Sequence, residues 1–487
     1  MSLEEIRNIR LEKLSRLKEV FGSVYPANVN RTHDIGEVLF HFTKLKKQKK
    51  KLSIAGRIRS IRTHGGSVFF DLEDSEVRLQ CYIKKNTLGE RLHELFTDSI
   101  DIGDFVGVSG LLFTTKKKEK TLLVTDWWPL AKSVRPLPEK WHGIQNVEER
   151  FRKRALDLLM NKESRERFLE RTKIIKSLRD FLDGNGFYEV ETPILQPLYG
   201  GALARPFTTH HHALDMDLYL RVAPELYLKR LMVGNLRRVY EIGKCFRNEG
   251  IDVLHSPEFT MLEGYMAFEH YESLKVLMEK MIMAAVKEVK KKNSIVFDGK
   301  TITFKKPFRT MTFSESIKRY ALLPNIEHMN TEELLLVSKQ FGVEMNRVYS
   351  RGKILDEIFK KVVRKHLIEP TFITNHPIDI SPFAKMSGQF PETALRFQLI
   401  AGGIELINAY AEINDPIEQR SRLIKQEQMF KEGDEEVSRM DEDYIETLEY
   451  GMPPTAGFGL GVDRLVQLLT DTHNIRDVIL FPTLKPL

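Results

Sequence analysis

The segment from Glu241 to Phe268 combines side chains that could bind a nucleotide and an amine. Arg247 carries a planar guanidinium that fits a phosphate group. Phe259 offers an aromatic face on which a base can stack, and Glu263 offers a negative charge to an amine. These residue types on one short segment favour a ligand-binding hairpin. The residues alone leave one alternative open, an exposed polar hairpin with surface ion pairs.

Two strands and a polar loop are predicted to position these side chains. Residues 241–247 alternate in polarity, and residues 259–268 form a second apolar run that contains one glutamate. Residues 248–257 between them are polar and include Gly250 and Pro257, which favour a turn. The pattern therefore predicts strand, loop and strand.

Three strings, in order along the chain, resemble the signature motifs of the class II aminoacyl-tRNA synthetases. They are GFYEVETPIL at 186–195 (motif 1), FRNEG at 246–250 with HSPEFTMLE at 255–263 (motif 2), and GFGLGVDRL at 457–465 (motif 3). Other strings resemble the lysyl-tRNA synthetases within that class: GGALARPF at 200–207, RVAPELYLKRL at 221–231 and NAYAEINDP at 408–416. The resemblance covers the chain from about residue 30 to its end.

This resemblance implies an ATP-dependent enzyme that joins L-lysine to tRNA(Lys) through a lysyl-adenylate and releases AMP and diphosphate. It also implies Mg²⁺ as a cofactor and a homodimer formed through motif 1. Two alternatives remain: a non-catalytic tRNA-binding relative, and a ligase that attaches a lysine-like group to a protein. The intact arginines of motifs 2 and 3 argue against the first, and the N-terminal barrel described below argues against the second.

The resemblance assigns the ATP-binding and catalytic residues. Arg247 would hold the α-phosphate and the substrate carboxylate, and Arg464 and His255 would hold the distal phosphates. Phe259 and Arg464 would enclose the adenine, and Glu249 would read its amino group. Amino-acid activation gathers charge on phosphate oxygens, so two arginines at this site suit the chemistry.

Three glutamates in three segments predict a cationic substrate side chain, because a buried ammonium group must be paired. The resemblance assigns the lysine-binding set: Glu263 and the backbone of Gly201 for the α-amino group, Glu225, Glu412 and Tyr265 for the ε-ammonium, Asn408 for the α-carboxylate, and Tyr410 for the aliphatic stem.

The metal site departs from the family pattern. Glu405 stands where the resemblance places a magnesium ligand, but Gln398 stands where the family has its other metal-binding carboxylate. The motif 2 loop also differs, since Leu254 and Ser256 replace a common arginine and asparagine. These differences motivate the non-catalytic alternative and leave the number of magnesium ions open.

Five short alternating runs between residues 52 and 130 predict an OB-fold, a small barrel that often binds oligonucleotides. By resemblance, Arg62, Phe69 and Gln80 would stack on and read an anticodon base, as is usual for single-stranded RNA. The alternative for Phe69 is a place in the barrel core.

Residues 1–140 hold 26 Lys and Arg against 18 Asp and Glu, a net charge of +8, whereas the remainder holds 49 against 50. This basic region suits a polyanion, although the run at 43–51 alone predicts a solvated linker.

The chain is therefore expected to be α+β, with an N-terminal helix and OB-fold in 1–140 and a class II catalytic domain in 141–487. The catalytic domain should be an antiparallel sheet flanked by helices, because strands outnumber βαβ units.

We find no apolar run of about 18 residues, which predicts no membrane span. Cys81 and Cys245 are the only cysteines, which suits a reducing cytoplasm and excludes a cysteine-based zinc site.

Overall fold

A computed structural model describes residues 1–138, 144, 146–343, 350–431 and 438–486. The chain forms two units, Met1–Gly143 and Ile144–Leu487. The predicted domain boundary at residue 140 lies outside the described residues. None of the described helices is both long and apolar enough to cross a membrane.

The first unit contains a closed five-stranded barrel, as the alternating runs predicted. Its strands are β1 (Leu52–His64), β2 (Ser67–Asp74), β3 (Val77–Lys84), β4 (Phe105–Thr114) and β5 (Lys120–Ala131). They pair in the order β1-β2-β3-β5-β4, and β4 closes onto β1. Val68, Phe70 and Leu72 alternate into the buried barrel core, which is the period of two expected for a strand. The helices of this unit are α1 (Leu3–Phe21), α2 (Ile35–Phe40), α3 (Phe42–Gln48), α4 (Lys85–Leu88) and α5 (Glu90–Ser99).

The lysine-rich run near residue 45 packs against the barrel. Most of the run lies in α3, whose Phe42 is buried and whose Leu45 packs on the barrel core. The Nζ atom of Lys46 donates a hydrogen bond to the Oγ1 of Thr114, at 2.8 Å. The prediction of a solvated linker is therefore wrong for this segment, because two apolar side chains one turn apart anchor it.

The second unit is built on an eight-stranded sheet. Its strands and those of two small sheets are β6 (Tyr188–Glu189), β7 (Leu195–Gln196), β8 (Phe207–His211), β9 (Met216–Leu220), β10 (Arg238–Phe246), β11 (Glu258–Ala267), β12 (Ser294–Phe297), β13 (Lys300–Thr303), β14 (Arg309–Thr312), β15 (Thr371–Thr374), β16 (Arg396–Ala401), β17 (Ile404–Ala411) and β18 (Thr455–Gly461). The large sheet has the order β14-β15-β16-β17-β18-β11-β10-β6. Its six central strands are antiparallel, and only the edge pairs β14–β15 and β6–β10 are parallel.

Helices flank this sheet on both faces, which confirms the predicted class. The helices are α6 (Val147–Arg152), α7 (Arg154–Met160), α8 (Lys162–Gly184), α9 (Glu225–Val233), α10 (Tyr271–Lys290), α11 (Phe313–Tyr320), α12 (Thr331–Gln340), α13 (Arg351–Ile358), α14 (Pro416–Lys431), α15 (Glu442–Glu449) and α16 (Val462–Leu469). Leu178 of α8, Met281 of α10 and Leu465 of α16 are buried in the largest apolar core, where they meet Leu262 and Met266 of β11. The alternate residues of β11 therefore point to the opposite face of the sheet.

Candidate active site

The face of the large sheet opposite the main core carries a cleft of about 700 Å³. Every predicted ATP-binding, lysine-binding and metal residue lines it except Glu412, which lies beneath: Gly201, Glu225, Arg247, Glu249, His255, Phe259, Glu263, Tyr265, Gln398, Glu405, Asn408, Tyr410 and Arg464. Segments that are far apart in sequence thus meet at one place. The predicted strand–loop–strand of motif 2 is also confirmed, as β10, a loop and β11.

Strand geometry explains why these side chains share one face. On β11, Phe259, Glu263 and Tyr265 are separated by even numbers of residues, so they point the same way. Glu405 and Asn408 on β17 are three apart and would lie on opposite faces of a regular strand. A register shift between Leu399 and Ile400 of β16 breaks the pairing with β17 there. Such a bulge re-aims the side chains that follow it, and both residues reach the cleft.

One end of the cleft is cationic. The Nη2 of Arg464 lies 3.0 Å from the Nε2 of His255. The Nδ1 of His255 lies 2.7 Å from the Oδ2 of Asp252. A guanidinium only donates hydrogen bonds, so Nε2 accepts and His255 carries its proton on Nδ1. The two residues predicted to hold the distal phosphates are therefore hydrogen-bonded to each other. The Cζ of Arg247 lies 5.0 Å from the centre of the Phe259 ring. This contact orients the Arg247 guanidinium where the loop between β10 and β11 begins and ends.

A buried aspartate that sequence reasoning missed ties motif 2 to motif 3. Asp463 Oδ1 accepts from Arg171 Nη1 at 2.6 Å, and Oδ2 accepts from the backbone N–H of Thr260 at 2.7 Å. Arg171 also donates to the hydroxyl of Thr260, at 3.1 Å. The helix that presents Arg464 is thereby fixed to the strand that presents Phe259. The signal in the sequence was an acidic residue directly before the motif 3 arginine.

The other end of the cleft is anionic and buried. Glu225 is 4%, Glu263 6% and Glu412 2% exposed. Burial, and then the charge of Glu225, raises the pKa of Glu263 to about 8. Burial likewise raises the pKa of Glu412 well above its usual range. Hydroxyl groups of two tyrosines complete this end, since Tyr410 donates to Glu225 Oε1 at 2.7 Å and Tyr265 donates to Glu263 Oε2 at 3.3 Å.

A lysine that sequence reasoning did not single out lies among these carboxylates. The Nζ of Lys229 is 2.5 Å from Glu225 Oε1 and 2.6 Å from Glu412 Oε2. The side chain is fully buried, beside the rings of Phe383 and Tyr410. Burial alone would lower the pKa of Lys229, but the two carboxylates outweigh it and raise that pKa, so the residue is a cation.

The glycines of motif 3 make room for this anionic end. They lie within β18, and α16 begins only at Val462. A Cβ on Gly457 would lie 2.1 Å from Glu412 Oε1 and 2.5 Å from the ring of Tyr265. These are impossible separations, and the glycine is required because acidic and aromatic side chains of the neighbouring strands occupy its space.

The predicted metal residues fit only a weakly protein-bound ion. Gln398 Oε1 lies 3.2 Å from the Nε2 of buried His376, whose pKa burial lowers to about 3, so its ring is neutral. Glu405 is the one predicted carboxylate ligand, and among the described residues no group of three or more His, Cys, Asp or Glu side chains could hold a metal. The donors fit an ion held mainly by ligand phosphates and water, and they do not fit an ion that needs a full protein shell.

On the barrel, Phe69 lies on the outer surface, so the alternative of a core position is wrong. Arg62, Phe69 and Tyr82 are directly paired across β1, β2 and β3. The rings of Phe69 and Tyr82 stack at 4.5 Å with an angle of 17° between their planes. Gln80 is two residues from Tyr82 on the same face, and its Oε1 accepts from the Thr121 hydroxyl at 3.0 Å. Sequence reasoning missed Tyr82, although its spacing from Gln80 was the signal.

Comparison with known proteins agrees with this geometry. Residues 146–485 match the family described as tRNA synthetases class II (D, K and N), and residues 52–130 match the OB-fold nucleic acid binding domain. The chain is 46% identical to a lysine–tRNA ligase of Syntrophomonas wolfei over 100% of this chain and 98% of the relative. It is 45% identical to that of Moorella thermoacetica over 99% and 98%, and 44% identical to that of Carboxydothermus hydrogenoformans over 99% of both chains. The chain therefore belongs to the class II tRNA synthetases, in the lysine–tRNA ligase family.

Proposed function

We propose that this enzyme attaches L-lysine to tRNA(Lys) in two steps, by forming lysyl-adenylate from ATP and then transferring the lysyl group. One observation carries the proposal. A single cleft has arginines at one end and buried carboxylates at the other. This arrangement matches a reaction that joins an anionic nucleotide to an amino acid with two ammonium groups.

In the first step, a carboxylate oxygen of lysine attacks the α-phosphorus of ATP. The bond from that phosphorus to the bridging oxygen breaks, and diphosphate leaves. Arg247 holds the α-phosphate and the lysine carboxylate, so it aligns the reacting atoms and stabilises the charge that develops between them. Arg464 holds the distal phosphates, and His255, whose Nε2 accepts a hydrogen bond from Arg464, positions that guanidinium before ATP arrives.

Adenine recognition uses the mouth of the motif 2 loop. Phe259 stacks on the base from one side and Arg464 covers the other, while Glu249 accepts from the adenine amino group.

In the second step, a ribose hydroxyl at the tRNA end attacks the lysyl carbonyl carbon and forms an ester. The bond from that carbon to the phosphate oxygen of the adenylate breaks, and AMP leaves with its electron pair and takes up the hydroxyl proton.

The buried end of the cleft selects lysine. Glu263 and the backbone of Gly201 receive the α-ammonium group, and Glu225, Tyr265 and Glu412 provide the environment of the ε-ammonium. Asn408, held by Arg396 Nε at 2.8 Å, faces the α-carboxylate, and Tyr410 contacts the aliphatic stem. A substrate with an anionic side chain would meet three carboxylates here.

Lysyl enzymes of this class depend on ATP and generally use divalent metal ions. We assign the ion as Mg²⁺, held by ATP phosphates, water and Glu405, with Gln398 nearby as a neutral neighbour. When bound, it neutralises phosphate charge; the arginines and carboxylates described above do the positioning.

The barrel binds the anticodon of tRNA(Lys) through Arg62, Phe69 and Gln80. Stacked aromatic rings beside an amide and a guanidinium are the usual means of reading an unpaired base. Tyr82 extends the stacking surface.

The active form is a homodimer in the cytoplasm. Motif 1 and the residues just after it expose apolar side chains, with Ile194 44%, Leu195 47% and Leu198 40% exposed, which suits a two-fold interface. Cys81 and Cys245 are free and buried, as a reducing compartment allows. Light scattering at assay concentration should give about twice the chain mass of 56.6 kDa; an active monomer would refute the dimer.

Lysine-dependent exchange of diphosphate with ATP tests the function, since it requires the first step and no tRNA. L-Lysine should drive exchange, and aspartate or asparagine should not. Exchange with aspartate above that with lysine would overturn the assignment, and a protein that binds tRNA without any exchange would support the non-catalytic alternative.

A further inference from the structure

Among the residues that the structure describes, Lys229 is the one cationic side chain that contacts two of the three buried glutamates of the cleft. Its Nζ contacts Glu225 and Glu412 at 2.5 and 2.6 Å, and no part of its side chain is exposed. A glutamate and a lysine four residues apart on a helix are ordinarily a surface pair of little energetic weight. Here the pair lies under the floor of the substrate cleft, where ionic contacts are strong and an unpaired charge is costly.

The contacts divide the oxygens of Glu225 between protein and cleft. Oε1 receives both Lys229 Nζ and the hydroxyl of Tyr410. Within the part of the chain that the structure describes, no hydrogen bond reaches Oε2. The protein therefore fixes Oε1 of Glu225, and Oε2 is available to a ligand in the cleft.

The charges then match those of one substrate class. With all three glutamates ionised, as pairing with ammonium groups requires, these residues and Lys229 give this end of the cleft a net charge of −2. A molecule of L-lysine brings two ammonium groups, and its carboxylate is met by Arg247 at the other end. Without Lys229, the same pocket would hold one negative charge that the substrate cannot neutralise.

We propose that Lys229 is a specificity-determining, positioning residue that neutralises one carboxylate and holds Glu225, so that the pocket accepts two ammonium groups and no more. This inference rests on the proposed function, because it takes lysine as the substrate. Lys229 itself does not touch the substrate; it acts through Glu225 and Glu412.

The test removes the ammonium and returns it as a free ion. Lys229→Ala deletes the side chain beyond Cβ, and n-propylammonium has the atoms that are lost. In ATP–diphosphate exchange, we expect the KM for lysine to rise at least about tenfold, because a buried pair has been broken. The KM for ATP should stay within about twofold, since the cationic end is untouched. Adding n-propylammonium should lower the KM for lysine again, and neutral 1-propanol of similar size should not.

Two further variants make the result decisive. Lys290→Ala is the matched control, because Lys290 of α10 pairs with Glu170 of α8, away from the cleft; the KM of this variant for lysine should be unchanged with or without n-propylammonium. Lys229→Met keeps the volume of the side chain without the charge, so it carries the test if Lys229→Ala does not fold. A KM for lysine equal to that of the unaltered enzyme in Lys229→Met, or rescue of Lys229→Ala by 1-propanol, would overturn the inference. Absence of lysine-dependent exchange in the unaltered enzyme would instead overturn the proposed function.

Discussion

Glu263 is the residue whose environment most directly links structure to a measurable property. Its carboxyl group is buried on β11, and burial raises its pKa to about 8. At pH 7 the free protein therefore holds Glu263 largely protonated. An ammonium group can pair only with the ionised form, so lysine binding must release this proton.

Lysine affinity should consequently increase with pH. Between pH 6 and 8 the KM for lysine should fall by up to about tenfold per pH unit, because the ionised fraction of Glu263 grows at that rate below its pKa; it should level off above pH 8. The measurement is exchange rate against lysine concentration across this range. Glu263→Gln should bind lysine more weakly and lose this pH dependence. An unchanged slope in that variant would assign the titration to another group.

Gln398 stands at the phosphate-binding end of the cleft, where the family has a second metal-binding carboxylate. Its amide oxygen faces the Nε2 of His376, and it brings no charge to a bound cation. We expect Gln398→Glu to lower the free Mg²⁺ concentration that gives half-maximal exchange, because a second carboxylate then attracts the ion.

This magnesium requirement is measured as exchange rate against free Mg²⁺ at fixed ATP. Glu405→Gln serves as the opposite control and should raise the half-saturating concentration. If Gln398→Glu and the unaltered enzyme share one half-saturation point, Gln398 lies outside the metal shell.

The glycines of β18 create space for side chains that reach in from neighbouring segments. Gly457→Ala would put a Cβ 2.1 Å from Glu412 Oε1. Overpacking of this kind costs about 1–3 kcal/mol of stability, and it displaces the carboxylate and Tyr265. We expect a lower melting temperature and a higher KM for lysine.

Gly459 provides a matched control for that prediction. It lies on the same strand and face, but a Cβ there would meet nothing closer than Glu263 Cγ at 3.6 Å, which is ordinary contact. Gly459→Ala should therefore lose less stability than Gly457→Ala. Equal losses would show that the effect comes from strand propensity and not from the space beside Glu412.

The elements themselves could be predicted, because their signals are local. Alternation predicts the barrel strands and the motif 2 hairpin. The Asp298-Gly299 dipeptide, a residue pair typical of two-residue hairpin turns, joins β12 to β13. Both turn residues have positive φ, at 51° and 69°, as such a two-residue turn requires.

The sequence does not predict which side of a helix or strand faces the interior, and two features of the site depend on this. Lys229 sits four residues after Glu225, a spacing that ordinarily marks an exposed helical pair. Only the packing of α9 beside β11 and β17 turns this pair inward. The bulge that brings Glu405 to the same face as Asn408 has no clear sequence signal either, because both apolar and polar residues surround it. The roles of Glu225, Glu405 and Asn408 follow from the family resemblance, whereas the role of Lys229 follows only from its contacts in the structure.

The two units of the chain carry different parts of the chemistry. The cleft lies within Ile144–Leu487, and the aromatic surface of the barrel lies within Met1–Gly143. The excess positive charge is also confined to the N-terminal region, where a polyanion is expected to bind. Adenylation and anticodon recognition should therefore be separable by substitution.

Phe69→Ala tests this separation. Removing one stacking partner should weaken tRNA charging by about 1–3 kcal/mol in kcat/KM for tRNA, while lysine-dependent exchange without tRNA should be nearly unchanged. Phe70→Ala, at the neighbouring position, is the contrasting variant, since Phe70 is fully buried in the barrel core and its loss should lower the melting temperature of the barrel. If Phe69→Ala also destabilises the barrel as much as Phe70→Ala does, its effect on charging comes from folding. If it weakens exchange and charging equally, the barrel surface and the cleft are not independent in function.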